Sequence, residues 1–104
     1  MERVCFTFEI YADKEAEYKK RHDEIWPELV DALQECGFHN YSIFRRGLTV
    51  VGYLEVHPNS AIAFSKLGEY EVNTKWAKWF EDVIVNLVDS QGHLMKLDEV
   101  WHLD

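Results

Sequence analysis

Positive charge is what this chain has too little of. Eleven Lys and Arg face nineteen Asp and Glu in 104 residues, a formal charge of −8. Nucleic-acid binding needs basic side chains to neutralise phosphates, and anionic membrane surfaces need the same, so neither partner is expected. No run approaches the ~18 apolar residues of a membrane-spanning helix. The opening MERVCFTFEIYADKE has neither the long apolar core nor the small-residue cleavage site of a secretory signal. Cysteine is limited to Cys5 and Cys36, which form neither a disulfide framework nor a zinc signature and read as reduced thiols. The glycines stand singly at 37, 47, 52, 68 and 92, so no phosphate-cradling loop is present. His22, His39, His57, His93 and His102 are scattered without an HxH or HxxxH pair, which argues against a metal centre. The expectation is a cytoplasmic protein with no metal and no cofactor.

Aromatic residues, by contrast, are abundant: four Trp, five Tyr and six Phe. That exceeds what one small core uses, so some should line a pocket or a subunit interface. Residues 3–11, RVCFTFEIY, alternate, with Val4, Phe6, Phe8 and Ile10 on one face, as in a half-buried strand. Asp13 is placed to cap a helix whose first turn carries Glu15 and Glu17. Pro27 disfavours helical geometry at Trp26 and lacks a backbone donor. The helix should therefore break between Asp23 and Trp26 and restart with Pro27 in the first turn of a second helix that stops at Gly37. Residues 38–46 and 48–56 read as strands joined by a turn at Arg46-Gly47. His57-Pro58-Asn59 ends the second of these, and Ser60 is expected to cap a short helix up to Gly68. A further helix is expected over 72–86 and a fourth strand over 94–103.

This order predicts a single domain, residues 1–104, of α+β class: a ferredoxin-like β-α-β-β-α-β antiparallel sheet with helices on one face. The other sheet face still carries apolar residues. A second copy packing sheet to sheet, as a two-fold homodimer, is the simplest way to bury them.

Within YKKRHDEIWPELV, Tyr18 and His22 are an i, i+4 pair on one helical face. The Trp-Pro step leaves His22 at a helix terminus beside a kink, where a side chain can project into a cleft. Imidazole exchanges protons near neutral pH, although a partly exposed His in a charged segment is the plainer reading of KKRHDE. Tyr41 alternates with Phe38, Asn40, Ser42 and Phe44; if those four share one strand face, Tyr41 and Ile43 share the other. Trp76 and Trp79 form a helical aromatic pair that serves either as core packing or as a stacking surface for a sugar ring. From the residues alone, this is a small acidic α+β dimer with a Tyr/His/Trp-lined pocket suited to proton transfer.

Tyr18, Arg21-His22, Ile25-Trp26-Pro27-Glu28-Leu29 and His39-Asn40-Tyr41-Ser42-Ile43 together closely resemble the L-rhamnose mutarotase family. The likeness continues through Lys75-Trp76 to Asp98-Glu99-Val100-Trp101-His102-Leu103 and spans essentially the whole chain. The resemblance implies a dimeric α+β barrel, an isomerase that interconverts the α and β anomers of L-rhamnose without metal or cofactor. It implies His22 as proton donor and Tyr18, Tyr41 and Trp76 as sugar contacts. Many members carry a second Trp directly after the position of Trp76. Here that position is Ala77, and Trp79, one turn on, is the residue available to supply the surface. Asp23 and Glu24 are expected to raise the pKa of His22 and keep it usable as an acid. Two alternatives stay open: a mutarotase for another 6-deoxy or neutral sugar such as L-fucose, and a ferredoxin-like dimer that binds a small ligand without catalysis.

Overall fold

In the computed structural model, which describes residues 1–104, the alternation of the first strand sorts its side chains between two environments. Strand β1 (Glu2–Ile10) buries Val4, Phe6, Phe8 and Ile10 and leaves the intervening residues on the opposite face. Helices α1 (Glu15–Asp23) and α2 (Pro27–Glu35) follow, then strands β2 (Phe38–Arg46) and β3 (Thr49–Val56). Helices α3 (Ser60–Gly68) and α4 (Glu71–Trp79) lead through a 3₁₀ turn, Phe80–Asp82, into the short strands β4 (Ile84–Asn86) and β5 (Lys96–Leu97). The antiparallel sheet has the order β2-β3-β1-β4, and β5 pairs with β1 beside β4. Val50, Leu54 and Val56 of β3 join the inward residues of β1 in a core closed by Tyr18, Ala32, Ala63, Leu67, Phe80 and Val83. This is the α+β architecture expected, with the helices on one sheet face. No helix is long and apolar enough to cross a membrane.

The break between α1 and α2 has the expected cause. Trp26, the residue before Pro27, is extended at φ −66° and ψ 131°, and Pro27 takes the first position of α2. Helix α1 therefore ends in a single turn in which the Ile25 N–H donates to the His22 carbonyl at 3.2 Å. At the far end of α2, Gly37 has φ +94°, and a Cβ there would collide with the His57 carbonyl. Only glycine fits that turn.

Several expectations need correction. Helix α4 stops at Trp79 instead of running to residue 86. Val83-Ile84-Val85 is a β-branched run, and the end of β1 offers an open edge for it; Ile10 pairs with Ile84, and the Tyr11 N–H donates to the Val83 carbonyl at 2.8 Å. The strand expected over 94–103 pairs with β1 only at Lys96–Leu97. Beyond it the chain stays beside the start of β1 through side chains instead of backbone pairing: the Arg3 guanidinium donates to both oxygens of Glu99 at 2.7 and 3.1 Å. Asp13 is not a cap: it sits at φ +66°, and the cap position belongs to Lys14, without a side-chain bond. At α3 the cap is Asn59, whose Oδ1 accepts from the Ile62 N–H at 3.0 Å. Ser60 instead offers its N–H and hydroxyl to Glu2.

The face assignment in β2 also changes. His39 pairs with Glu55 and Ser42 with Tyr53, so Asn40 and Tyr41 together oppose the one residue between, Leu54. This β-bulge has Asn40 at φ +48° and shifts the alternation by one. Phe38, Tyr41 and Ile43 therefore share the helix-facing side, and Phe38 is not grouped with Asn40, Ser42 and Phe44. Phe44, on the outer side, is 63% exposed.

Candidate active site

Helix α1 has almost no apolar stripe; the only residues it buries are Tyr18 and Arg21. Tyr18 lies against Phe8 of the sheet and Phe80 of the 3₁₀ turn, with ring centroids 6.2 and 5.8 Å away. Arg21 supplies the second hold. Its guanidinium donates to the Trp79 carbonyl at 2.7 Å, to both oxygens of Asp82 at 3.1 and 3.2 Å, and to Glu17 at 2.6 Å. It also covers the Trp79 ring at 4.6 Å. The Trp79 carbonyl lies at the C-terminus of α4, where a cation is favoured. Arg21 therefore brings the end of α1 onto the end of α4.

That docking places His22 in an aromatic wall. Its ring lies 4.4 Å from Tyr18, 5.2 Å from Phe80 and 5.4 Å from Trp76, edge-on to the last at 89°. Trp26 extends the wall, 5.1 Å from Trp76 and stacked on Trp79 at 5.2 Å. On the sheet side Phe6 stacks on Phe8 at 6.1 Å and meets Tyr41 edge-on at 6.4 Å. Phe6 can lie there because Gly52 sits beneath it, where a Cβ would strike the ring. Tyr41, Phe6, Phe8, Tyr18, His22, Trp76 and Trp26 thus form one continuous aromatic surface.

The polar tips on this surface are unpaired. His22 Nδ1 lies 3.0 Å from the Tyr18 carbonyl. A carbonyl only accepts, so this bond requires the hydrogen on Nδ1 and leaves the Nε2 lone pair free in the neutral ring. The Tyr18 hydroxyl has no partner in the protein and yet is not sealed off; Glu15 Oε1 is the one sealed polar side-chain atom without a partner. Burial lowers the pKa of His22, and the Tyr18 carbonyl and then Asp23 oppose that only in part. The expectation that nearby carboxylates raise it is therefore corrected: Asp23 is turned to Lys19, at 2.9 Å. Burial pushes Tyr18 well above the ordinary phenol value, with a further rise from Tyr41 nearby. Tyr41 is 41% exposed as a residue, but desolvation of its hydroxyl end pushes it up to about 12. Both phenols are protonated hydrogen-bond donors at neutral pH.

Tyr18, His22 and Trp76 are thus brought together, with Tyr41 on the same side of the sheet. Trp79 stands further back, its ring engaged by Trp26 and Arg21. Sequence reasoning passed over Trp26, Phe80 and Arg21. The Trp-Pro step pointed at the first as a break but not as a wall, and Arg21 looked like one more charge in KKRHDE. No group of three His, Cys, Asp or Glu is placed to hold a metal ion. A cavity of about 410 Å³ between Glu9, Val85, Asp89 and Met95 lies elsewhere, and so does one of about 510 Å³ between α1 and Arg45. Neither holds a histidine or an aromatic ring, so neither is where the proton-transfer groups converge.

Residues 3–103 match the model of the L-rhamnose mutarotase family. The chain belongs to the L-rhamnose mutarotase family. Its relatives include the L-rhamnose mutarotases of Oceanobacillus iheyensis, 41% identical over all of both chains, and of Listeria monocytogenes, 36% identical over 99% of each. The crystal structure of an L-rhamnose mutarotase from Formosa agariphila superposes with a TM-score of 0.81 at 27% identity, covering both chains completely. Membership in this mutarotase family makes the protein an isomerase acting on anomers.

Arg21→Met keeps much of the side-chain volume but removes every charge-assisted bond. It is expected to lower stability by about 2 kcal/mol, less than for a fully buried pair because Asp82 is half exposed. The check is urea unfolding: the midpoint should fall at unchanged slope, and an unmoved midpoint would show that Arg21 does not hold α1 in place.

Proposed function

We propose that the protein interconverts the α and β anomers of L-rhamnose by opening and reclosing the sugar ring, with His22 carrying the proton. The observation that carries this reading is the free Nε2 of His22 beside Tyr18, whose hydroxyl has no protein partner, on an aromatic surface that continues through Phe8 and Phe6 to Tyr41. The names of the relatives support the sugar. A 6-deoxy sugar presents hydroxyls along its rim and a methyl group and axial hydrogens on its faces. Trp76 packs against the apolar part, and Tyr18 and Tyr41 hydrogen-bond the oxygens.

Neutral His22 takes the proton of the anomeric hydroxyl through Nε2. As the bond between C1 and the ring oxygen breaks, one of the phenols gives its proton to that oxygen. The aldehyde turns about its C1–C2 bond. On closure the new ring oxygen returns its proton to the phenol, and His22, now the proton donor, protonates the oxygen on C1. Atoms and charge balance, and the protein ends as it began. Burial raises Tyr41 to about 12, nearer to a sugar alcohol than an exposed phenol is, which narrows the difference the proton must cross on its return.

Ala77 favours a second reading, a mutarotase for another 6-deoxy sugar such as L-fucose. With no second Trp after Trp76 and with Trp79 held by Trp26 and Arg21, the wall offered to the sugar is Trp76 flanked by Trp26.

The reading also includes a homodimer through the outer sheet face. Phe44 is 63% exposed there, and the neighbouring C-terminal segment, tied to Arg3, exposes Val100, Trp101 and Leu103 at 92%, 76% and 74%. Apolar surface of that kind favours burial against a second copy. Phe44→Glu should convert a dimer into a monomer in sedimentation at micromolar concentration; a monomeric parent protein would refute the dimer.

His22→Ala should slow enzyme-catalysed anomer exchange by about 10²–10⁴-fold while sugar binding, read by Trp fluorescence, persists. In the parent protein, kcat/KM should rise with pH as His22 loses its proton, with a midpoint below the ordinary 6.5 because burial lowers the pKa. Activity that instead falls as pH passes upward through this range would mean that the protonated imidazole starts the reaction.

A further inference from the structure

The β-bulge in β2 stands where regular alternation would aim Tyr41 the wrong way. Counting inward from Phe38, an unbroken strand would turn residues 40 and 42 toward the helices and Tyr41 toward the outer face. The extra residue opposite Leu54 reverses this, and Tyr41 meets Phe6 on the inner side. The bulge depends on Asn40, whose φ of +48° lies in the left-handed region that asparagine tolerates better than most residues. Its side chain is also fastened: Nδ2 donates to Glu55 Oε1 at 2.9 Å. Glu55 is itself fixed, because its other oxygen accepts from the Tyr53 hydroxyl at 2.7 Å. Bulges recur beside active sites because they re-aim a side chain, and here the residue next to the bulged one is a proposed sugar contact.

We propose that Asn40, clasped by Glu55, is a positioning residue that sets the Tyr41 hydroxyl for the sugar. Asn40 touches no substrate; it lies on the outer side of the sheet and acts through the backbone it shares with Tyr41. The inference rests on the reading that Tyr41 contacts the sugar.

The test is a double-mutant cycle on catalysed anomer exchange in the full-length protein. Tyr41→Phe alone should raise KM by about tenfold. Asn40→Ala, which loses the clasp and resists the left-handed backbone, should raise KM by a similar factor while the melting temperature falls by only about 4–8 °C, leaving the protein folded in the assay. In the Tyr41→Phe background it should add nothing, because its effect runs through the hydroxyl already removed. Asn40→Gly accepts the backbone conformation without the clasp and should lie between the two. The exchange Asn40→Asp with Glu55→Gln again sets an amide against a carboxylate and should restore KM. Effects of Asn40→Ala and Tyr41→Phe that multiply would overturn the positioning role, as would an Asn40→Ala protein with unchanged KM. A Tyr41→Phe protein with unchanged KM would overturn the sugar contact beneath it, and the inference with it.

Discussion

The arrangement of this protein depends on one buried guanidinium. Helix α1 brings too little apolar surface to the core to dock by burial alone, yet it carries His22, the proposed proton carrier. Arg21 resolves that conflict by fastening α1 to the Trp79 carbonyl and to Asp82. The same cluster sits at the end of α4, where the guanidinium takes the Trp79 carbonyl and a cation is favoured by the helix terminus. Releasing the chain at Trp79 lets Phe80 turn inward beneath Tyr18 and His22, and lets Ile84 reach the edge of β1. One ion-pair cluster thus fastens α1 to the end of α4 and sets what His22 touches.

The electrostatics of the site follow from the same packing. An imidazole surrounded by Tyr18, Phe80 and Trp76 is desolvated, and desolvation outweighs the carboxylate one residue away, which is occupied by Lys19. The neutral ring is then oriented by the Tyr18 carbonyl, a backbone group that cannot turn. His22 and Tyr18 are four residues apart on one helix, so one turn of backbone sets the ring, its tautomer and the neighbouring phenol at once. The two phenols are shifted the opposite way, toward their protonated forms, by the same apolar walls. Burial thus favours a neutral imidazole on the same wall as protonated phenols.

Much of this was legible in the residues. The alternation of Val4, Phe6, Phe8 and Ile10, the stop at Gly37 and the Trp26-Pro27 break each have a local cause, and local causes can be read in a sequence. The end of α4 was not legible, because Trp76, Phe80 and Val83 keep helical spacing past the point where the helix stops, and what takes the chain instead is the edge of β1, distant in sequence. The last strand was overextended too: Val100 and Trp101 suit a strand, but backbone pairing with β1 ends at Leu97, and past it Arg3 reaches Glu99 only through side chains. In β2 the period-two rule failed at Asn40, where a left-handed residue and a side-chain bond to Glu55 outweighed regular pleating. Trp26 and Arg21 were hidden by their neighbours, one read only as a break and the other only as surface charge.

The central claim is that this aromatic surface, with His22 and two phenols at its rim, opens and closes the ring of a 6-deoxy sugar. Saturation-transfer NMR of anomer exchange, with L-rhamnose, L-fucose and D-glucose offered in turn to the purified protein, tests it most directly. The account predicts exchange well above the spontaneous rate for L-rhamnose, with D-glucose, whose C6 hydroxyl is the wrong group for an apolar wall, left near its uncatalysed rate. Exchange at the spontaneous rate for all of these sugars would contradict it.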